Sequence, residues 1–179
     1  DEIDRNPELD MVMSMFYNVI SDENGSDCTM EAVSVKGELR DSYTGDDIIC
    51  NRLSEMRIPY ILAWNKLYRC GLFDNVRYED GAVHEDELIF RSIMERCSHI
   101  AVIDKPLTYH RIRPDSIMTG CSAKNAGCAL RWMNEEIKYY RKRKLYGQLH
   151  RLEHMMCNRY VSDKRYMDAE LREQYRDSF

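Results

Sequence analysis

The strongest pattern along the chain is a nearly unbroken apolar run over residues 10–20, stopped by Ser21-Asp22-Glu23-Asn24-Gly25. A run of that length closed by turn residues predicts a buried strand. Residues 30–36 alternate loosely and predict a second strand. Gly45-Asp46-Asp47 opens a helix carried to about Met56 by Ile48, Ile49, Leu53 and Met56 on one face, before Pro59 stops it. Residues 60–70 read as a short helix, with Gly71 just past its last turn. Residues 85–97 give the clearest amphipathic helix, placing Leu88, Ile89, Ile93, Met94 and Cys97 in one stripe. A strand is expected over 99–104, a break at Pro106, and another strand over 107–112. From Ala123 the pattern turns helical, over 123–146, 148–161 and 163–177. The expected fold class is therefore α/β. A first domain spans residues 1–120, with the strands at 10–20 and 99–104 in one sheet, and a helical region spans 121–179.

Composition narrows the function classes. With 179 residues, 44% hydrophobic and 32% charged, the chain suits one compact domain or part of a larger one. A net charge of −5 argues against a nucleic-acid binder. No apolar run approaches the roughly 20 residues that cross a bilayer. The chain opens with Asp-Glu-Ile-Asp, not with a basic and then apolar leader, so a cytoplasmic location is expected. Seven cysteines, odd in number and without a CxxC pair, read as reduced thiols, not as a disulfide framework or zinc ribbon. No initiator Met stands at the start, and the expectation is a piece whose natural N-terminal part is missing.

Polar and aromatic residues concentrate between 64 and 118. Trp64-Asn65-Lys66 fits two roles. The indole caps the core with Lys66 snorkelling, or it offers a flat apolar face to a sugar ring with two hydrogen-bonding neighbours. Glu85-Asp86-Glu87 stands in the first turn of a helix, where the dipole favours acids with no function needed. Alternatively, one carboxylate projects into a cleft and accepts a proton, the dipole holding its pKa low. Arg111, Arg113 and Ser116 offer forked cations and a hydroxyl to an anion, a diphosphate first among them; the plain alternative is solvated arginines. His150 and His154 share a helix face without a third ligand, and a solvated surface is the expected role. The basic run from Lys138 to Lys144, with two tyrosines, reads as a solvated face, as a contact with an anionic membrane surface or as a contact with nucleic acid, the last weakened by the overall acidity.

Taken in order, these stretches resemble a known family. They are Ala63-Trp64-Asn65-Lys66-Leu67-Tyr68, Gly71-Leu72-Phe73, Gly81 through His84-Glu85-Asp86-Glu87, Ile103-Asp104-Lys105-Pro106-Leu107, and Tyr109-His110-Arg111-Ile112-Arg113-Pro114-Asp115-Ser116-Ile117-Met118. The series resembles the family 2 glycosyltransferases of GT-A fold, particularly bacterial enzymes of surface-polysaccharide assembly, over residues 10 to about 120. The resemblance implies inverting transfer of a sugar from a nucleotide-sugar donor to a hydroxyl of a glycan or lipid-linked acceptor. It implies Asp86 of the Glu85-Asp86 pair as general base, and Trp64, Asn65 and Lys66 on the acceptor side. His110, Arg111, Arg113 and Ser116 fall where the family's loop closes over the diphosphate.

The family also holds Mg2+ or Mn2+ on the diphosphate through an aspartate motif in an N-terminal nucleotide-binding half. Nine residues precede Asp10, and Asp1-Glu2-Ile3-Asp4 lies too close to the strand to stand in for that motif. The expectation is thus a partial GT-A fold lacking that half, inactive alone, with no metal of its own. Peripheral contact at the inner membrane face and pairing with a second copy over the cut sheet belong to the same expectation. The alternative is a non-catalytic α-rich interaction module binding a protein partner or a membrane surface. It accounts for residues 123–179 better than for 64–118.

Overall fold

The computed structural model describes residues 2–21, 27–34, 39–51, 60–112 and 122–178. The chain forms two compact units, residues 1–78 with 89–116 and residues 79–88 with 117–179. The class is mixed α/β.

The first unit is built on β1 (Met11–Ser21). Met11, Val12 and Met13 are all buried, so both faces of the strand are covered, as the continuous apolar run requires. On one side β1 pairs in parallel with β4 (Ile100–Ile112) along its length. On the other it pairs antiparallel with β2 (Asp27–Val33) over its second half and with β3 (Lys66–Tyr68) over its start. Asp10 fixes where β4 begins, its carboxylate accepting from the Ser98 and His99 amides at 2.7 and 3.0 Å. Arg69 gathers the preceding chain, donating to the carbonyls of Ile3 at 2.6 Å and Leu9 at 3.0 Å.

After a one-turn helix α1 (Glu2–Arg5), the helix α2 (Gly45–Asn51) starts at a reciprocal cap. The Thr44 amide donates to Asp47 Oδ2 at 2.8 Å and the Asp47 amide to Thr44 Oγ1 at 3.1 Å. Gly45 is required here, because a Cβ would lie 1.7 Å from the Met94 carbonyl oxygen. The helix α3 (Glu85–Met94) follows, its first turn belonging to the second unit.

The strand at 10–20 and its place in one sheet with 99–104 are as the hydrophobic pattern predicts. Two expectations fail. Residues 60–70 are helical only at Tyr60–Ile61 among the described residues; 66–68 form β3 and Cys70–Phe73 a 3-10 turn that contains Gly71. Pairing with the otherwise open edge of β1 overrides the weak local helix preference. Pro106 does not divide two strands either. β4 runs through it, and the register shifts from Ser14 opposite Ile103 to Met15 opposite Pro106. The irregularity lets a residue with no N–H sit in the strand. Boundaries move elsewhere: β2 begins at 27 instead of 30 and ends at 33, residues 35–36 of the predicted strand lying outside the described residues, and α3 stops at Met94. The predicted extension of α2 to Met56 lies outside the described residues.

The second unit contains α4 (Ala123–Lys142), α5 (Tyr146–Asp163) and α6 (Ala169–Asp177). Ser122 caps α4, accepting from the Asn125 amide at 3.1 Å, and Asp168 caps α6, accepting from the Leu171 amide at 2.8 Å. Ala126, Ala129, Leu130, Met133, Ile137 and Tyr140 of α4 are buried, as are Leu149, Leu152 and Met156 of α5. Tyr175 anchors α6, its buried hydroxyl donating to the Ala126 carbonyl at 2.9 Å. No helix among the described residues is long and apolar enough to cross a membrane.

Candidate functional site

The first unit carries an open groove of about 810 Å3. Val19 of β1, Met30 of β2 and residues 108–111 of β4 line it together with Trp64. Trp64 stacks on His110 at 5.2 Å between ring centroids and 23° between planes, and meets Phe16 edge-on at 4.8 Å. It nevertheless keeps 41% of its surface exposed, so an indole face remains available. His110 is held from behind by Asn18, Nδ1 to Oδ1 at 3.0 Å. Tyr109 is 66% exposed and stacks on Tyr17 at 5.4 Å, its partner across the parallel pair. Arg111 brings an exposed cation to the same groove. Aromatic faces beside a permanent cation suit a flat or ring-shaped ligand with an anionic group.

Asn65 and Lys66 stand beside Trp64 in sequence but serve the backbone. Asn65 is 2% exposed. Its Nδ2 donates to the Ser14 carbonyl at 2.9 Å and its own carbonyl accepts from the Ser14 amide at 2.9 Å, continuing the ladder where β3 ends. Lys66 Nζ donates to Asn65 Oδ1 at 2.8 Å and to the Leu62 carbonyl. Of the three, only Trp64 faces outward. Arg113 and Ser116 lie outside the described residues.

The acids at the head of α3 belong to the second unit. Glu85 is exposed, Glu87 buried and Asp86 between them half-buried. Asp86 Oδ1 accepts from the Glu87 amide at 2.9 Å. Burial pushes the Asp86 carboxyl up to about 6, helped by the charges of Glu87 and Glu85 and opposed by the Glu87 amide and His84. The helix dipole was expected to hold this pKa low. Burial beside like charges outweighs it.

His84, just before the acids, has a left-handed backbone with φ 62°. Its Nε2 lies 2.8 Å from Oδ1 of buried Asn125, which also accepts from Arg159, and Arg159 in turn pairs with buried Asp163. Neither this chain of contacts nor the stacked Tyr109 was legible as part of a site. Tyr109 had a signal in the polar and aromatic stretch around it, but Asn125 and Arg159 had none, because Asn125 lies 41 residues from His84 and 34 from Arg159.

His154 bonds Asn158 at 3.3 Å on an exposed helix face. Within the basic run, Lys138 pairs with Glu135 at 2.9 Å, Arg141 with Glu153 at 3.5 Å, and Arg143 donates to Tyr139 Oη at 2.6 Å. Among the described residues no three His, Cys, Asp or Glu side chains come together to hold a metal ion, and Cys50, Cys70, Cys97, Cys128 and Cys157 are reduced thiols. Compared with protein-family models, with curated proteins and with solved structures, the chain matches none.

Proposed function

We propose that this chain is the acceptor-side part of an inverting glycosyltransferase of family 2, with a partial GT-A fold, and that Asp86 is its general base. The setting of Asp86 carries the reading. A carboxyl that titrates near 6 is ionised at neutral pH yet basic enough to accept a proton in the transition state. An acid that only complements a helix dipole would have no reason to be half-buried between two other carboxyls.

The reaction follows from that role. Asp86 takes the proton of an acceptor hydroxyl while the oxygen attacks the anomeric carbon. The new C–O bond forms on the face opposite the leaving group, and the bond to the diphosphate breaks with its electron pair. Configuration inverts. Taken by itself, the groove of the first unit suits ligands of the same chemistry: the exposed face of Trp64 suits a sugar ring, and Arg111 suits a phosphate. The residues described here do not assemble the metal site that the family uses, so no step of this account runs through an ion. The nucleotide-sugar donor, the glycan or lipid-linked acceptor, a cytoplasmic location and a peripheral membrane contact are all part of the proposal.

The test uses a longer protein that carries this chain, incubated with a panel of radiolabelled nucleotide sugars and membrane glycolipid acceptors. Transfer that is lost in Asp86→Asn but retained in Glu85→Gln is the expected result. Transfer that survives Asp86→Asn at the parental rate would remove the base from the account.

A further inference from the structure

The second unit holds a chain of buried polar groups that the proposed reaction does not use directly. Asp163 is buried near the end of α5 and pairs with Arg159 one turn earlier, while Ser162 Oγ donates to Asp163 Oδ1 at 3.0 Å. Arg159 donates through Nη2 to Oδ1 of Asn125, in the first turn of α4. The same oxygen lies 2.8 Å from His84 Nε2. An amide oxygen only accepts, so the imidazole donates there and carries its proton on Nε2 when neutral. His84 is two residues before Asp86 and has the left-handed φ of 62°.

Each link has a physical consequence. A left-handed backbone is uncommon for a residue with a Cβ and persists where the surroundings enforce it. The bond from Asn125 holds the His84 ring, and through it the backbone that enters α3. Arg159 decides which end of the Asn125 amide faces His84, because a guanidinium only donates and must meet the oxygen. Asp163 in turn orients Arg159. The charges that act on Asp86 are those of Glu87, Glu85 and His84; Arg159 and Asp163 belong to the contacts behind His84, and the surface pair of Arg131 and Glu79 at 2.9 Å lies outside them.

We propose that Asp163, Arg159 and Asn125 act as positioning residues, locking His84 in one tautomer and one backbone conformation so that Asp86 is held in place at the head of α3. This inference rests on the reading of Asp86 as the base. The helices after residue 122 thereby take part in the site instead of only supporting it. None of the three residues touches substrate in this account.

The test is nitrogen NMR of the His84 ring and carbon NMR of the Asp86 carboxyl in the 179-residue chain, parental and variant. The parental ring is expected as a single Nε2–H tautomer. In Arg159→Met the Asn125 oxygen loses the guanidinium donor it shares with the ring, and the tautomer should become mixed or switch to Nδ1–H. Arg159→Lys, which keeps a donor, should restore Nε2–H. His84→Gly keeps the left-handed backbone without strain and removes the ring; the Asp86 titration should then move upward, since the imidazole holds it down. A single Nε2–H tautomer that persists unchanged in folded Arg159→Met would overturn the proposal, as would a parental ring protonated on Nδ1. If Arg159→Met does not fold, the Arg159→Lys and His84→Gly arms decide: an Asp86 titration unmoved in His84→Gly overturns it. Failure of the base reading shows separately, as transfer that survives Asp86→Asn while the tautomer lock remains.

Discussion

Trp64-Asn65-Lys66 and Glu85-Asp86-Glu87 are two short polar stretches whose side chains end up in opposite circumstances. In the first, the groups that resemble ligand donors are spent on the fold: Asn65 closes the ladder beyond β3 and Lys66 is tied to Asn65 and Leu62. In the second, the group that resembles a helix-end acid is half-buried and titrates near 6. Beside a strand end, unpaired backbone groups recruit the nearest amide, because leaving them unsatisfied costs more than losing a surface contact. At a helix start the backbone amides are already orphaned, so an acid there needs no help to be stable. A carboxyl pushed up to about 6 is what sets Asp86 apart.

The largest effect should come from Asp86. In a longer protein that carries the chain, Asp86→Asn should lower transfer on the order of 10²-fold or more, the scale of general-base catalysis. With the parental residue, the rate should rise with pH up to about 6 and level off above, because the base must be unprotonated. A rate independent of pH between 5 and 8 would place both stretches in the same structural class.

Stability should move the other way. The folded pKa of Asp86 is raised above its usual 3.8, so the protonated acid is the form the fold prefers. That preference is fully present below about 4 and is lost as pH rises through about 6. Asp86→Asn should therefore stabilise the chain at pH 7.5 by up to about 3 kcal/mol, a shift of about two units at 1.36 kcal/mol each. The gain should vanish near pH 4, as read by urea denaturation at both values. Asn65→Ala should do the opposite, costing roughly 1–3 kcal/mol at either pH because the part-buried Ser14 carbonyl loses its side-chain donor.

The smallest effect distinguishes the groove. Trp64→Ala removes the stack on His110 at an exposed position and should cost only about 0.5–1.5 kcal/mol of stability. Quenching of Trp fluorescence by nucleotide sugars, present in the parent and absent in this variant, would mark Trp64 as the ligand face. Quenching that is identical in the two proteins would assign the signal to Trp132, the second tryptophan, and leave the groove without a sugar.

How much of this could be read from the sequence follows the range of each interaction. The strand at 10–20 was legible because burial on both faces writes an unbroken apolar run. The first turn of α2 and the helices after Ala123 were legible because caps and periodicity are local. The strand at Lys66–Tyr68 was not, since three residues pair with an edge more than 50 positions away. Pro106 misled for the converse reason: it forbids one ladder bond, and a local shift of register absorbs that. Residue types pointed to Trp64, His110 and Arg111 in the groove of the first unit and, separately, to Asp86 in the second, but Asn65 and Lys66 are bonded to the backbone and to each other. His84 was visible only as a neighbour of the acids. Its bond to Asn125, 41 positions on, is a fact of tertiary structure.

The central claim is that burial, not the helix dipole, governs Asp86, and carbon NMR of its carboxyl across pH 2–8 in the 179-residue chain tests it most directly. A midpoint near 6, well above the usual 3.8, is expected. A midpoint at or below the usual 3.8 would contradict it and return Glu85-Asp86-Glu87 to the role of a charged helix start.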